Sequence, residues 1–452
     1  MAIHDLIMAA AGVSTGGAGG LIGTQGAQGF GVGTYPVTLP SGFSALTGSS
    51  TVSSANYGNY QYSDGSIMVF IPRFYYRIGS ASSPRYATYG ANAIDIVGTD
   101  TYATEAAANA AGYAMHRAFV DGGATKYGFF IDKYLCTNNG TTSGKSVQNG
   151  NPISLATTAG YNPSSGMTGC TGILADAVVL SRARGAGVFN CASIFMYDAL
   201  AKLSLAHAQA STSTTNCAWY DATNNFPKGN NNGALADTND ATVTFTADGT
   251  SSGSGKALTG SASNLAKTTH NGQSSGVTDV NGAMWQVMLG VTMAGTSATD
   301  TTQNTTGTAY VINTSVALSS LTGGYGGSTD AWGSTATLTT NYTAITGFLP
   351  WTSTTGWNYF GSGTNQVFSG ATSGTDYLRS CSGIAIQTGM DATGTALFGN
   401  DGNYQYGRAN LFPMASGHWY SGTDAGVVHR LWLFYRSYDN RYVGFRASAY
   451  GL

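Results

Sequence analysis

The chain has 452 residues, a formal net charge of −2 and only 9% charged side chains, against roughly 25% in an ordinary globular domain. It is too long for one typical domain and long enough to bury a sizeable core. Glu105 is its only glutamate and it carries no basic cluster, so nucleic acid is not an expected partner and a surface of Ser, Thr, Asn, Gly and Tyr favours strands and loops over helices.

Residues 1–12 carry Ile3, Leu6, Ile7 and Ala10 at helical spacing, too short a run to stand alone. With the Gly-rich residues 13–34, read as a linker or irregular loop, they form an expected attachment segment over 1–34. Residues 35–65 read as a connector rich in short strands, and the main domain is expected over 66–452. It opens on a predicted strand pair, Ser66–Pro72 and Arg73–Tyr76, with Pro72 at a bulge or edge between them. Tyr127–Cys136 reads as a buried strand. The best helix runs from Cys191 to about Ala210, with Ser193 as N-cap and Phe195, Met196, Leu200 and Leu203 on one face. His207 is expected on its surface.

Asn and Asp crowd residues 221–255, where Asx turns follow naturally. Asp237, Asn239 and Asp240 are also oxygen donors that a Ca²⁺ ion would accept, the one cofactor the sequence suggests. Residues 293–375, rich in Thr, Ser and Gly, read as an insertion of irregular loops and short strands. The five cysteines form no CxxC pair, so a zinc site is not expected and buried free thiols are the default. No run of 18 apolar residues occurs, so no transmembrane helix is expected, and the N-terminus lacks the positive region of a signal peptide.

The last long stretch, Gly417–Arg446, reads GHWYSGTDAGVVHRLWLFYRSYDNRYVGFR. Aromatic and Arg side chains of this kind dominate binding hot spots and paratopes. They are equally what an ordinary core strand pair would contain.

Several segments, in order, resemble the formylglycine-generating-enzyme subclass of the C-type lectin fold. Tyr127–Asn138 resembles that family's early strand, and Met196-Tyr197-Asp198-Ala199 lies where the family places its first main helix. Asp279–Val287 (DVNGAMWQV) resembles its Asp-x-x-Gly-Asn-Val-Trp-Glu-Trp signature, with Ala283 for Asn, Gln286 for Glu and Val287 for the second Trp. Gly444-Phe445-Arg446 matches its terminal Gly-Phe-Arg. The resemblance implies an α+β, β- and loop-rich C-type lectin-like domain. Gly417–Arg446 further resembles the variable region of proteins diversified by retroelements, including phage tail receptor-binding proteins, through Gly417-His418-Trp419, Gly422, Ala425-Gly426-Val427, Arg436-Ser437 and Val443–Arg446. In such proteins adenine-directed mutagenesis cannot yield Lys, Glu, Gln, Met or Trp at varied positions. Between His418 and Arg446 none of the first four occurs.

Carried over residue by residue, the resemblance implies that Tyr420, Ser421, Thr423, Asp424, Val428, His429, Arg430, Leu433, Phe434, Tyr435, Tyr438, Asn440, Arg441 and Tyr442 are displayed. Trp419, Gly426, Trp432, Gly444, Phe445 and Arg446 would be the fixed frame. It implies a tail protein of a virion, acting outside the cell as a homotrimer. Its partners would be a host cell-surface receptor, protein or glycan, and other tail proteins held through the N-terminus, with no membrane insertion. The resembled oxidase uses a cysteine pair near the C-terminal core, where this chain has only Cys381, so no enzyme is expected. A tail polysaccharide depolymerase and a virion decoration protein are the alternatives. For the former, Asp100, Asp237, Asp240 and Asp401 show no spacing that singles out an acid pair.

Overall fold

The computed structural model describes residues 21–211, 240–246, 256–295, 301–303, 307–318, 321, 338, 340–348, 356–361 and 365–451. The expected helix over 1–12, along with Asp237 and Asn239, lies outside these residues.

The run Gly-Phe-Phe-Ile-Asp at Gly128–Asp132 is apolar without alternation, the pattern of a strand covered on both faces. It is buried throughout and sits inside a six-stranded sheet. Across that sheet the order is Phe43–Ala45, Asn59–Tyr62, Ile67–Pro72, Gly128–Asp132, Ala447–Tyr450 and Phe189–Cys191, each pair antiparallel. Phe70 and Ala449 flank Phe130 in register. Each aromatic ring buried here removes enough apolar surface to contribute about 1.5–3 kcal/mol. Residues 35–65 are therefore not a connector, because two of their strands are paired into the main sheet. Ile67–Pro72 and Phe74–Ile78 both form, but not as a pair: the second belongs to a three-stranded sheet with Ile94–Gly98 and Ala114–Met115. Pro72 ends the first strand, and the chain turns there from one sheet to the other.

Residues 21–34 are irregular, as one reading allowed, but they are no linker. Ile22, Phe30 and Val32 are completely buried. The Phe30 ring stacks on His207 at 5.2 Å, and the Gly26 N–H donates to His207 Nδ1 at 3.1 Å. The helix Ile194–Ala210 begins at its expected cap, with Ser193 Oγ accepting from Met196 N at 3.3 Å. His207 is not on a surface, because this helix has none: it packs against the strands Ile94–Gly98 and Gly426–Trp432 and the helix Gly374–Cys381. Its polar residues are paired inside, Gln209 with Ile94 N and Asn92 O at 2.8 Å each.

A second, seven-stranded sheet carries the C-terminal region. Its order is Met390–Asp391, Gly356–Phe360, Gly402–Gln405, Gly426–Trp432, Met414–Ser416, Trp285–Val287 and Val443–Gly444. Gly402–Gln405 with Gly426–Trp432, and Trp285–Val287 with Val443–Gly444, pair in parallel. Within 293–375, Ala309–Ile312 pairs with Val291–Thr292 on one edge and with Tyr342–Ile345 on the other, whereas Gly356–Phe360 is integral to the large sheet. An insertion reaching to 375 is thus too long at its C-terminal end. Among the described residues no helix is long and apolar enough to cross a membrane.

Candidate functional site

The Gly-Phe-Arg corner is where the two large sheets meet. Val443–Gly444 is the last strand of the seven-stranded sheet and Ala447–Tyr450 lies inside the six-stranded one. Phe445 is fully buried between them. Arg446 is buried too, and its guanidinium donates to Gln286 Oε1 at 2.7 Å, to the Asp132 and Lys133 carbonyls at 3.0 and 2.8 Å, and to the Thr278 carbonyl. Gln286 closes the set, accepting from the Tyr197 hydroxyl at 2.8 Å and donating to Asp279 O at 2.8 Å. A neutral amide both gives and takes here, which a carboxylate at that position would not do. Trp419 and Trp432 are each 1% exposed, and the Trp432 indole N–H donates to Asn403 Oδ1 at 2.8 Å.

Three residues expected on display are inside. Val428, His429 and Arg430 lie on Gly426–Trp432, which is buried at every position. This strand runs between Gly402–Gln405 and Met414–Ser416, so both its edges are paired, and the long helix covers one face while Trp357 lies over His429 on the other. Period-two geometry sends Val428, Arg430 and Trp432 to one side and His429 to the other. Arg430 turns toward Asp198 of the helix, and its guanidinium donates to the Val427 and His429 carbonyls at 3.2 and 2.9 Å. His429 is covered by the Trp357 indole, 6.0 Å between ring centres, and its Nδ1–H donates to Asp424 O at 2.7 Å.

The other expected positions form a rim that is half-buried or exposed: Tyr420, Ser421, Thr423, Asp424, Leu433, Phe434, Tyr435, Tyr438, Asn440, Arg441 and Tyr442. Its rings make one continuous chain of contacts. Tyr420, 40% exposed, meets Tyr442 at 5.7 Å, and Tyr442 meets His418 at 4.9 Å. His418 stacks on Trp285 at 4.0 Å, Trp285 meets Phe434 at 6.0 Å, Phe434 stacks on Tyr438 at 4.4 Å, and Tyr438 meets Tyr435 at 5.4 Å. Burial, with His429 nearby, holds the His418 imidazole down to about 3, so the ring is neutral within this stack.

The rim's main chain is held from outside by other main chain. Leu174 N donates to Tyr438 O at 2.8 Å, Ala175 N to Arg436 O at 3.1 Å, Asn440 N to Leu155 O at 2.8 Å and Phe412 N to Phe434 O at 2.9 Å. Such bonds are indifferent to the side chain at the position they hold. Two rim side chains also serve the structure: Asn440 Oδ1 accepts from Tyr442 N at 2.8 Å, and Ser421 Oγ accepts from His418 N at 3.0 Å.

Sequence reasoning missed Trp285, His418, Trp357, Tyr359 and Tyr404, which border the rim. In Gly356-Trp357-Asn358-Tyr359-Phe360 the alternation was readable, with Asn358 and Phe360 buried and Trp357 47% exposed. It also missed that Cys381 has company. His116 Nε2 lies 2.9 Å from Asp198 Oδ2, Lys202 Nζ pairs with the same oxygen, and the Tyr76 hydroxyl is 3.2 Å from Cys381 Sγ. Ala118 N donates to His116 Nδ1 at 3.1 Å, which puts the ring proton on Nε2, toward Asp198. Every member of this set is at most 1% exposed, so its groups pair with one another and present nothing to solvent.

Of the acids considered for glycan cleavage, Asp401 is buried and accepts from Val428 N at 2.8 Å. Asp240 accepts from Thr242 N at 2.9 Å, an Asx turn. Among the described residues no cluster of three His, Cys, Asp or Glu is arranged to hold a metal ion. Cys136, Cys170, Cys191 and Cys381 are free thiols. A cleft of about 440 Å³ lies elsewhere, against Gln25, Arg85, Asp95 and Tyr113. Its Asp95 is already taken by Arg77, Arg85 and Ser83, each at 2.7 Å.

No family model and no curated protein matches the chain. Among solved structures it is similar to a Major Tropism Determinant U1 variant, at 12% identity over 86% of this chain and a TM-score of 0.29. It is also similar to an M1 variant of that protein, at 11% identity over 91% of this chain and 83% of the other, again with a TM-score of 0.29. The match spans 65% of the length of the U1 variant.

Proposed function

We propose that this chain is a phage tail receptor-binding protein with a C-type lectin-like fold of the formylglycine-generating-enzyme subclass, which binds a host cell surface through the rim around Tyr420, Phe434, Tyr438 and Tyr442. One observation carries this reading: a continuous run of exposed and half-buried rings stands on loops whose main chain is fixed by other main chain. Such a loop keeps its shape while its side chains change, which is what a diversified binding surface requires. Rigid aromatic side chains supply contact area at low entropic cost. Homotrimeric assembly in the virion tail belongs to the same proposal, and would multiply a weak single-site affinity.

The test is binding of labelled purified protein to a panel of bacterial strains. Replacing Tyr420, Tyr435, Tyr438 and Tyr442 together is expected to change which strains are bound while the chain stays folded. Unchanged strain preference would point to a decoration protein, and degradation of surface polysaccharide to a depolymerase.

A further inference from the structure

We infer that Trp285, which lies outside the Gly417–Arg446 stretch, is the constant contact of the binding face: it meets an uncharged, apolar group common to the receptors bound, while the rings on either side of it choose among them. This rests on the display reading above and adds to it a fixed residue and a division of labour.

Trp285 opens the strand Trp285–Val287, which runs between Met414–Ser416 and Val443–Gly444 in the seven-stranded sheet. Both edges are paired, with Gln286 facing Ala415 on one side and Gly444 on the other. Strand alternation turns Gln286 into the core, where its side-chain oxygen accepts from Arg446 and from the Tyr197 hydroxyl, and leaves Trp285 on the opposite face. A slip of one residue would put the indole where the amide belongs, so the Gly-Phe-Arg corner fixes where the indole stands. The indole is half-buried, and the Trp285 main-chain N–H donates to Tyr442 O at 3.1 Å.

Within the rim Trp285 holds the middle. The His418 ring lies flat on it, 4.0 Å between centres and 11° between planes. From His418 the rings continue to Tyr442 at 4.9 Å and Tyr420 at 5.8 Å. From Trp285 they continue to Phe434 at 6.0 Å and through it to Tyr438 at 4.4 Å. Both flanks belong to Gly417–Arg446, whereas Trp285 comes from a strand pinned by the core. Interface hot spots concentrate near the centre of a contact and are richest in Trp, Tyr and Arg. A central Trp that stays while its flanks change supplies binding energy common to all receptors, and the flanks then need only add selectivity. The stack carries no charge, because burial, with His429 nearby, holds the His418 imidazole down to about 3. Its contribution should therefore be insensitive to salt.

The experiment measures the affinity of the labelled full chain for each bacterial strain it binds in the panel above, at low and high salt. Trp285→Ala and Trp285→Leu should each weaken binding to every one of these strains by about tenfold or more, and by the same factor at both salts, without changing their order. Trp285→Phe should retain most of the affinity, and Tyr86→Ala, an exposed aromatic on another element, all of it. A circular-dichroism melt of each variant checks that it is folded, and the leucine variant keeps an apolar side chain in place should the alanine variant unfold. Wild-type affinity in a folded Trp285→Ala or Trp285→Leu overturns the inference. So does a loss confined to some strains, the sign of a residue that only places its neighbours, or a loss that shrinks at high salt. If the fourfold Tyr replacement changes strain preference while the Trp285 variants change nothing, the inference fails and the display reading stands. If the fourfold replacement leaves strain preference unchanged, the display reading fails and the inference with it.

Discussion

The strand Gly426–Trp432 and the loop Leu433–Tyr442 follow one another in the chain, yet different forces hold them. The strand is paired on both edges and its side chains are locked as well: Arg430 near Asp198, His429 under Trp357, Trp432 on Asn403. The loop is fixed by its main chain, through Leu155, Leu174, Ala175 and Phe412. Substitution in the first empties a buried site, and substitution in the second leaves the fastening in place. A surface that must tolerate change is built from the second kind of segment, framed by the first.

The comparison can be broken first at the frame. Arg446→Met should cost about 3–5 kcal/mol in chemical denaturation, because it removes the buried charge-assisted hydrogen bonds to Gln286 Oε1 and to the Asp132, Lys133 and Thr278 carbonyls. Arg430→Ala comes next, at about 3 kcal/mol, through a cavity and the loss of a cation near buried Asp198. If Arg430→Ala were neutral, the strand would behave as the loop does and the distinction would collapse.

Acid provides a third test. His270 is buried, with Nδ1 accepting from Val277 N at 3.1 Å and its Nε2–H donating to Gly31 O at 3.2 Å. Both nitrogens are used by the neutral ring, and burial holds its pKa down to about 3 from 6.5. Between those values the unfolded chain binds a proton that the folded chain refuses. Stability should therefore be complete above about pH 6.5 and fall toward pH 3, by up to ~1.4 kcal/mol per pH unit from this group. His270→Gln should flatten that slope, measured as denaturation midpoint against pH.

The smallest effects belong to the loop. Tyr438→Ser should cost about 1 kcal/mol, the value of its stack on Phe434 at 4.4 Å. Ser437→Ala, at an exposed position, should fall within about 0.5 kcal/mol of wild type.

What could be read in advance followed local chemistry. The Ser193 cap and the buried run at Gly128–Asp132 are properties of short segments, whereas the inward Trp419, Trp432, Phe445 and Arg446 were implied by the resemblance of Gly417–Arg446. What could not be read was set by neighbours distant in the chain. Val428, His429 and Arg430 look like a half-exposed strand until Gly402–Gln405 and Met414–Ser416 close on both edges. His207 looks like a helix-surface residue until Phe30, 177 positions earlier (207 − 30), stacks on it. The pairing of Cys381 with Tyr76 and of His116 with Asp198, and the placing of Trp357 beside the rim, depend in the same way on neighbours distant in the chain. The linker reading of 21–34 failed because glycine content reports backbone freedom and says nothing of Ile22, Phe30 and Val32 between the glycines.

The most direct measurement is amide hydrogen exchange on a variant carrying Ser at Tyr435, Tyr438, Arg441 and Tyr442 together. The main-chain fastening predicts that the amides of Leu174, Ala175, Phe412 and Asn440 keep their wild-type protection despite the loss of four large side chains. Collapse of that protection would show that the side chains hold the loop, and would contradict a surface built to vary.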